Sequence, residues 1–177
     1  MEKAVGYAID FIVSALIYFA FFFRRWRKSG RDKFVANTVM YIYLSFVAYF
    51  TLMPVVINLP YIMNHDYVPM NTELFRDYIA GYGDSERQLI LNVLLTVPFG
   101  FLLPIVQKKG FFRCLFQTAL LSLSIELVQP LINAARSSDI TDIVTNTVGG
   151  VVGYLLYLIF RPLINSIMKS LRRSRSK

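Results

Sequence analysis

Residues 111–160 read FFRCLFQTALLSLSIELVQPLINAARSSDITDIVTNTVGGVVGYLLYLIF, and this stretch decides the fold. It holds two apolar segments, 111–131 and 143–160, joined by a short polar link. Charged and amide side chains lie within or beside that link: Glu126, Gln129, Arg136, Asp139, Asp142 and Asn146. An ionised side chain at the centre of a bilayer costs at least about 2.5–3.5 kcal/mol, so such residues normally face a protein interior or a water-filled cavity. The stretch therefore predicts two membrane helices with a polar site where they meet.

The composition of the whole chain is that of a membrane protein. Of its 177 residues, 55% are hydrophobic, and the mean hydropathy is +0.49. A spanning helix needs roughly 20 mostly apolar residues, and five stretches qualify: 4–23, 34–53, 89–106, 111–131 and 143–160. The first is expected to be a true span and not a signal peptide, because Asp10 lies within it and a basic cluster follows it. The sequence thus predicts an all-α, polytopic protein with five transmembrane helices, in a single membrane domain over residues 1–177.

The net charge of +8 is unevenly distributed along the chain. Residues 24–33 hold six basic residues, 108–113 hold three and 161–177 hold six, which together are fifteen of the 19. These groups occupy alternate links, so the positive-inside rule predicts an outside amino terminus and a cytoplasmic carboxy terminus. Residues 54–88 then form an extracellular loop with a short interfacial helix over 71–80. Residues 161–177 form a basic cytoplasmic tail on anionic lipid headgroups, and its Arg/Ser-rich end is expected to be disordered. We expect no nucleic-acid partner, because the basic residues flank membrane spans.

The polar residues of the last two spans repeat at helical spacing. Glu126, Gln129 and Asn133 are spaced i, i+3, i+7, which places them on one face of the fourth span, and Pro130 should kink or end that helix. The same spacing relates three residues at the start of the fifth span: Asp139, Asp142 and Asn146. Asp139 is a plausible helix cap, with Asp142 at the position of the capping-box acid. Both sets are expected at the outer ends of their helices.

The third span adds polar and helix-bending residues at the same level. Asn92, Thr96 and Gly100 are spaced i, i+4, i+8. Pro98 and Pro104 should bend this helix and free carbonyl groups that neighbouring side chains must satisfy. In the fifth span, Gly149, Gly150 and Gly153 provide the small-xxx-small spacing that lets another membrane helix approach closely.

With these residues the chain resembles the VanZ-like family of bacterial membrane proteins. The pattern that carries the resemblance is Asn92, Pro98-Phe99-Gly100, Pro104, Glu126-x-x-Gln129, Arg136, Asp139-x-x-Asp142, Asn146 and Gly149-Gly150-x-x-Gly153, over about residues 89–154. The resemblance implies a multi-pass protein of the bacterial plasma membrane, in a family whose named member raises resistance to the lipoglycopeptide teicoplanin. Glycopeptides act on peptidoglycan precursors outside the cell, which is the side that the predicted site faces.

Two functional hypotheses of different classes follow. In the first, an outer pocket binds a lipid headgroup, a cell-wall precursor or a lipoglycopeptide and lowers access of the drug to its target. Arg136 would clamp a phosphate or carboxylate, while Asn92, Gln129 and Asn146 orient the ligand and the acids hold Arg136.

The alternative is a membrane enzyme that modifies a lipid-linked envelope substrate. Glu126, Asp139 and Asp142 would then supply acid–base chemistry or oxygen ligands for a divalent cation. Neither a histidine cluster nor a G-x-S-x-G motif is present to support catalysis. A purely structural role, in which Arg136 pairs with an acid and the amides tie the spans together, also fits the residues.

Overall fold

The computed structural model describes residues 2–62, 64, 68–133 and 137–173. Every regular element within these ranges is helical, as the sequence predicts. The α-helices are α1 (Glu2–Ile17), α2 (Arg24–Lys28), α3 (Arg31–Thr51), α4 (Arg76–Ile79), α5 (Ser85–Gln107), α6 (Phe111–Ile132) and α7 (Ile140–Arg173). A π-helical segment, Tyr18–Phe23, joins α1 directly to α2, and a short 3-10 helix, Val56–Tyr61, follows α3.

Five helices are long and apolar enough to cross a membrane. They cover Ala4–Lys28, Arg31–Thr51, Ser85–Gln107, Phe111–Ile132 and Ile140–Arg173, which confirms the number and the order of the predicted spans. Two of them are longer than the apolar pattern indicates. The first continues through the basic cluster to Lys28, and the last continues to Arg173. The expectation of disorder in the Arg/Ser-rich tail is therefore wrong as far as Arg173, since arginine, lysine and leucine are good helix formers and need no apolar surroundings to extend a helix.

The helices define two ends of the bundle, which carry different chemistry. At the polar end α3 and α6 end while α5 and α7 begin. At the basic end α2 and α5 end, α3 and α6 begin, and the last part of α7 emerges. The described basic residues of the three clusters, within 24–33, 108–113 and 161–173, all lie at the basic end.

Glycine residues bring α5 and α7 into close contact. A Cβ atom on Gly153 would overlap the carbonyl oxygen of Val97, and one on Gly100 would overlap the carbonyl oxygen of Gly150. Gly150 also faces α6, where an added Cβ would meet the side chain of Thr118. The close helix approach that the glycine spacing predicts is confirmed, and it joins α5, α6 and α7 into one tightly packed unit.

Hydroxyl and aromatic side chains connect α1 and α3 to that unit. Tyr18 and Thr38 share a hydrogen bond of 2.8 Å between their hydroxyl groups, which ties α1's π-helical continuation to α3. Tyr43 on α3 donates a 2.7 Å hydrogen bond to the carbonyl oxygen of Leu95 on α5. On α5, Pro104 has no N–H for the carbonyl of Gly100, and the thiol of Cys114 approaches that oxygen at 3.6 Å. A neighbouring helix thus satisfies a carbonyl that proline frees, as expected.

The long loop before α5 differs from the prediction. Its α-helix covers only Arg76–Ile79, and Phe75 before it adopts a left-handed conformation with φ of 57°. The helix expected over 71–80 does not form at its start because the backbone of Asn71 pairs with the residues that precede α7.

Candidate functional site

The start of α7 is capped by Asp139, as predicted. Its Oδ1 accepts the N–H of Thr141 at 2.7 Å, which satisfies one of the free donors of the first helical turn. The N–H of Asp139 is itself donated to Oε2 of Glu126 at 3.0 Å. In a capping box the acid three residues later accepts this N–H. Here Glu126 from α6 accepts it, so the role expected for Asp142 is filled from another helix.

Pro130 creates the second contact between α6 and the start of α7. Because proline has no N–H, the carbonyl oxygen of Glu126 loses its helical partner. The hydroxyl of Ser138, which is fully buried, donates to that oxygen at 2.5 Å. Helix α6 then ends two residues after Pro130, at Ile132. Pro130 therefore frees the carbonyl group to which the segment before α7 is attached.

Asn71 attaches the long loop before α5 to the residues at the start of α7. Its N–H donates to the carbonyl of Ser138 at 2.9 Å, and its carbonyl accepts the N–H of Ile140 at 3.0 Å, which forms an isolated parallel bridge with Asp139. The side-chain amide of Asn71 also donates to Oδ2 of Asp139 at 2.9 Å. A further bond, from the N–H of Phe75 to Oγ1 of Thr141, measures 3.0 Å. Both carboxylate oxygens of Asp139 are consequently engaged.

Glu126 lies inside this arrangement and is only 2% exposed. A buried carboxylate is costly unless charged or polar partners surround it. Arg136 was the predicted partner, and it lies outside the described residues, as do Ala134 and Ala135. The described ends of their link, Asn133 and Ser137, follow α6 and precede the bonded Ser138.

Deeper in the bundle, Asn146 joins the three packed helices. Its side-chain amide donates to Oγ of Ser122 on α6 at 2.8 Å, and its carbonyl oxygen accepts from Oγ1 of Thr96 on α5 at 2.6 Å. The Oγ1 of Thr96 also lies 3.2 Å from the carbonyl oxygen of Asn92. Within the described ranges, the Oδ1 of Asn146 and the Nδ2 of Asn92 are buried without a hydrogen-bond partner. A free acceptor and a free donor therefore remain in the interior, on two facing helices.

An open recess lies at the ends of α3 and α6. Its volume is about 360 Å³, and its polar lining includes Gln129, Asn133 and Asn58, with the rings of Tyr7 and Tyr49. Gln129 donates to the carbonyl of Thr51 at 3.0 Å, which joins the two helix ends. Among the predicted site residues, Gln129 lines this recess, whereas Glu126 and Asn146 are bonded inside the bundle.

Asp10 anchors the chain segment after α3, part of which lines the recess. It is 5% exposed, and its carboxylate accepts the N–H groups of Val55 and Val56 at 2.6 and 3.0 Å. These groups precede and begin the 3-10 helix, where free N–H groups favour a negative charge. An acid within the first span thus fixes the chain segment that leaves α3.

The comparisons with known proteins agree with this architecture. A model of the VanZ/LLP1 family matches residues 11–161, which is most of the chain. The chain belongs to this family. The match includes α3 and the long loop, where the sequence motifs alone gave no indication of the family. Protein VanZ of Enterococcus faecium is 44% identical over 72 residues, which are 40% of this chain and 44% of that protein. The chain therefore matches less than half of that relative's length, and no solved structure matches it.

Several residues of this VanZ/LLP1 protein's polar network were missed by the sequence analysis. They are Asn71, Ser122, Ser138 and Thr141, all of which make hydrogen bonds described above. Ser122 had a visible signal, because Cys114, Thr118, Ser122 and Glu126 recur every four residues and form the buried face of α6. Ser138 directly precedes the predicted cap. Asn71 had no comparable signal in its own neighbourhood.

The enzymatic alternative allows a divalent cation at Glu126, Asp139 and Asp142. In the part of the chain that the structure describes, no three His, Cys, Asp or Glu side chains form a group that could hold a metal ion. Asp139 directs its two oxygens at N–H donors. That arrangement is typical of a helix cap, and it leaves the carboxylate little room to ligate a cation.

Proposed function

We propose that this protein lies in the bacterial plasma membrane and contributes to glycopeptide resistance of the teicoplanin type by binding a ligand at its polar end. The ligand would be a lipid headgroup, a cell-wall precursor or the lipoglycopeptide itself. Membership of the VanZ/LLP1 family and the 44% identity to protein VanZ support the general role. They concern the family and a relative, so the binding step is argued from this chain's own residues.

The orientation that this function needs is supported by the charge distribution. The described residues of the three basic clusters all lie at the basic end, and the positive-inside rule puts such an end in the cytoplasm. The polar end, with the recess at Gln129, would then face the outside. Residues 54–88 would be exposed to the envelope, where glycopeptides meet their targets.

The observation that carries the binding role is the recess between the ends of α3 and α6. Gln129 and Asn133 provide amide groups there, and the two tyrosines provide rings suited to the headgroup level of a membrane. The link that starts at Asn133 carries Arg136, whose guanidinium would pair with a phosphate or carboxylate of the ligand. Ser138 and Asp139 bond to Glu126, and these bonds fix the end of that link that leads into α7.

The hydrogen bonds of Asp139 favour binding over the enzymatic alternative. A general base needs a free carboxylate oxygen within reach of its substrate, whereas both oxygens of Asp139 accept hydrogen bonds from the protein. Comparison of lipid and muropeptide profiles with and without expression would test this choice. A new or missing species would favour catalysis.

The binding role is tested by teicoplanin susceptibility of cells that express single variants at equal membrane abundance. Arg136→Ala and Gln129→Ala should lower resistance to the level of the empty vector. Gln117→Ala is the matched control, because Gln117 is on the same helix but bonds Gln107 at the basic end. Unchanged resistance in Glu126→Ala, Arg136→Ala and Asp142→Ala together would remove the polar end from the function.

The orientation is tested separately by cysteine labelling in a Cys114→Ser background. Ser137→Cys lies at an exposed position of the polar end, and Ser170→Cys at an exposed position of α7's last turns. A membrane-impermeant maleimide should label the first in intact cells and the second only after permeabilisation. The reverse pattern would place the polar end in the cytoplasm.

A further inference from the structure

The basic end contains a larger recess than the polar end. It lies between the start of α3, the link from α5 to α6 and the part of α7 that follows its apolar run, and its volume is about 590 Å³. Five cationic side chains and one acid line it: Lys108, Lys109, Arg161, Lys169, Arg172 and Asp32. The recess therefore collects positive charge from two separate segments of the chain, the link after α5 and the last part of α7, while the start of α3 contributes the acid.

Most of that charge is uncompensated. Arg172 lies near Asp32, with 3.8 Å between Nε and Oδ2. In the described part of the chain, Lys108, Lys109, Arg161 and Lys169 make no ion pair. Like charges within one recess repel each other, and an anion between them would remove that cost.

The arrangement is built into the helices that form the recess. Arg161, Asn165 and Lys169 are spaced at i, i+4 and i+8, so one face of α7 presents them together. Lys108 ends α5 in a left-handed conformation with φ of 54°, and its N–H donates to the carbonyl of Pro104 at 2.9 Å. The negative end of the α5 dipole accounts for lysines at 108 and 109, but it does not account for the cations of α7.

The remaining lining indicates what kind of anion fits. Below the cations, the walls are apolar or aromatic and include Ile105, Leu158, Tyr154 and Tyr157. A free phosphate ion would use only the cationic rim. A phospholipid would use both parts, because its phosphate meets the cations while its glycerol and acyl chains meet the apolar wall.

We propose that this recess binds the phosphate of an anionic phospholipid, with Lys108, Lys109, Arg161 and Lys169 around the headgroup. Asp32 restrains binding, because it occupies Arg172 and adds the one negative charge of the lining. This inference does not depend on the glycopeptide role of the polar end. It replaces the general expectation of a basic tail on the membrane surface with a defined site.

The experiment measures phosphatidylglycerol binding to the purified protein in phosphatidylcholine nanodiscs, by native mass spectrometry of retained lipid. Lys109→Gln combined with Arg161→Gln should weaken binding about 30-fold, from two lost cation–headgroup interactions. The matched control, Arg24→Gln with Arg25→Gln, removes two exposed charges from the same end but outside the recess. An equal loss in both double variants would mean diffuse surface attraction and would overturn the site.

A variant that should bind lipid more tightly separates loss of the site from misfolding, because a misfolded protein would not gain affinity. Asp32→Asn should tighten phosphatidylglycerol binding about fivefold, because it removes the acid and releases Arg172. Asp84→Asn, at the other end of the protein, is its control and should change nothing. No gain from Asp32→Asn would contradict the role of the recess charges.

A competition arm distinguishes the two sources of phosphate. Inorganic phosphate is added against chloride at equal ionic strength while bound phosphatidylglycerol is measured. The lipid should remain bound, since the free ion lacks the apolar contacts. Displacement by inorganic phosphate at concentrations where chloride has no effect would assign the site to a free anion and overturn the lipid proposal.

Discussion

The two ends of the protein use charged residues in opposite ways. At the polar end, Glu126 is 2% exposed and Asp139 has both oxygens engaged by N–H groups of the protein. At the basic end, Lys108, Lys109 and Arg161 are exposed around an open recess. The acids of the polar end are used to hold segments of this chain together, whereas the cations of the basic end remain available to an anion.

This contrast shows that the number of charges near a membrane helix does not reveal their task. A buried charge must be satisfied by its own protein, because leaving it unpaired costs several kcal/mol. A charge at the rim of a recess keeps its water and can exchange it for a ligand. Substitutions of the buried acids at the polar end should therefore change stability, and those of the exposed cations at the basic end should change lipid binding.

The largest expected effect is that of Glu126→Ala. It leaves the N–H of Asp139 buried without its acceptor, so the free energy of unfolding should fall by about 1–3 kcal/mol. Lys109→Ala at the basic end should change it by less than about 0.5 kcal/mol. Thermal unfolding in detergent measures both. Equal losses of stability would break the distinction between the two ends.

The link between Pro130 and Ser138 permits a sharper test. Ser138→Ala should cost about 1–2 kcal/mol, because the carbonyl of Glu126 then loses its donor. In a Pro130→Ala background residue 130 regains an N–H that can bond this carbonyl, so the same substitution should cost less than half as much. A double-mutant cycle of unfolding free energies measures the coupling. Additive effects would show that the carbonyl is satisfied in another way.

The cap of α7 should contribute a smaller amount. Asp139→Ala removes the acceptor of the Thr141 N–H and should destabilise the protein by about 1 kcal/mol. Asp139→Asn retains a capping oxygen and should lose mainly the bond to Asn71, so its cost should be lower. Urea unfolding of the two variants compares them. Equal costs would mean that the loop contact, and not the cap, is what Asp139 provides.

The smallest effect on stability is expected for Asp32→Asn. Its ion pair with Arg172 is 3.8 Å long, and the arginine side chain is 71% exposed. The Asp32 side chain is 15% exposed, but a pair of this length with one exposed partner contributes only about 0–1 kcal/mol, so the unfolding temperature should be almost unchanged although lipid binding rises. A large drop in unfolding temperature would show that Asp32 serves the fold as Glu126 does.

Features that depend on local pattern were predictable from the sequence. Hydropathy located the five spans because each apolar run is long enough to cross a bilayer. The glycines of α7 predicted close helix contact, and Asp139 predicted a helix start, since both signals lie within a few residues of their effect. The length of α7 was underestimated because hydropathy reports where a helix leaves the membrane and not where it ends.

Features that depend on distant contacts were not predictable. Asn71 and Asp139 are 68 residues apart, and nothing near Asn71 indicates a partner at the start of α7. The capping-box spacing pointed to Asp142, but Glu126 from a neighbouring helix accepts the bond. The recess of the basic end was likewise hidden, because its cations come from segments that look like separate membrane-flanking clusters.

The continuity of α7 sets a fixed length between the two ends. Asp139 and Arg161 are separated by about 33 Å along the helix axis at 1.5 Å per residue, close to the hydrocarbon thickness of a bilayer, about 30 Å. A helix cannot stretch, so a thicker or thinner bilayer has to be matched by tilt or by local deformation of the lipid. The distance along α7 between the cap at Asp139 and the first cation of the recess, Arg161, therefore sets the bilayer thickness that fits this protein without tilt or deformation of the lipid.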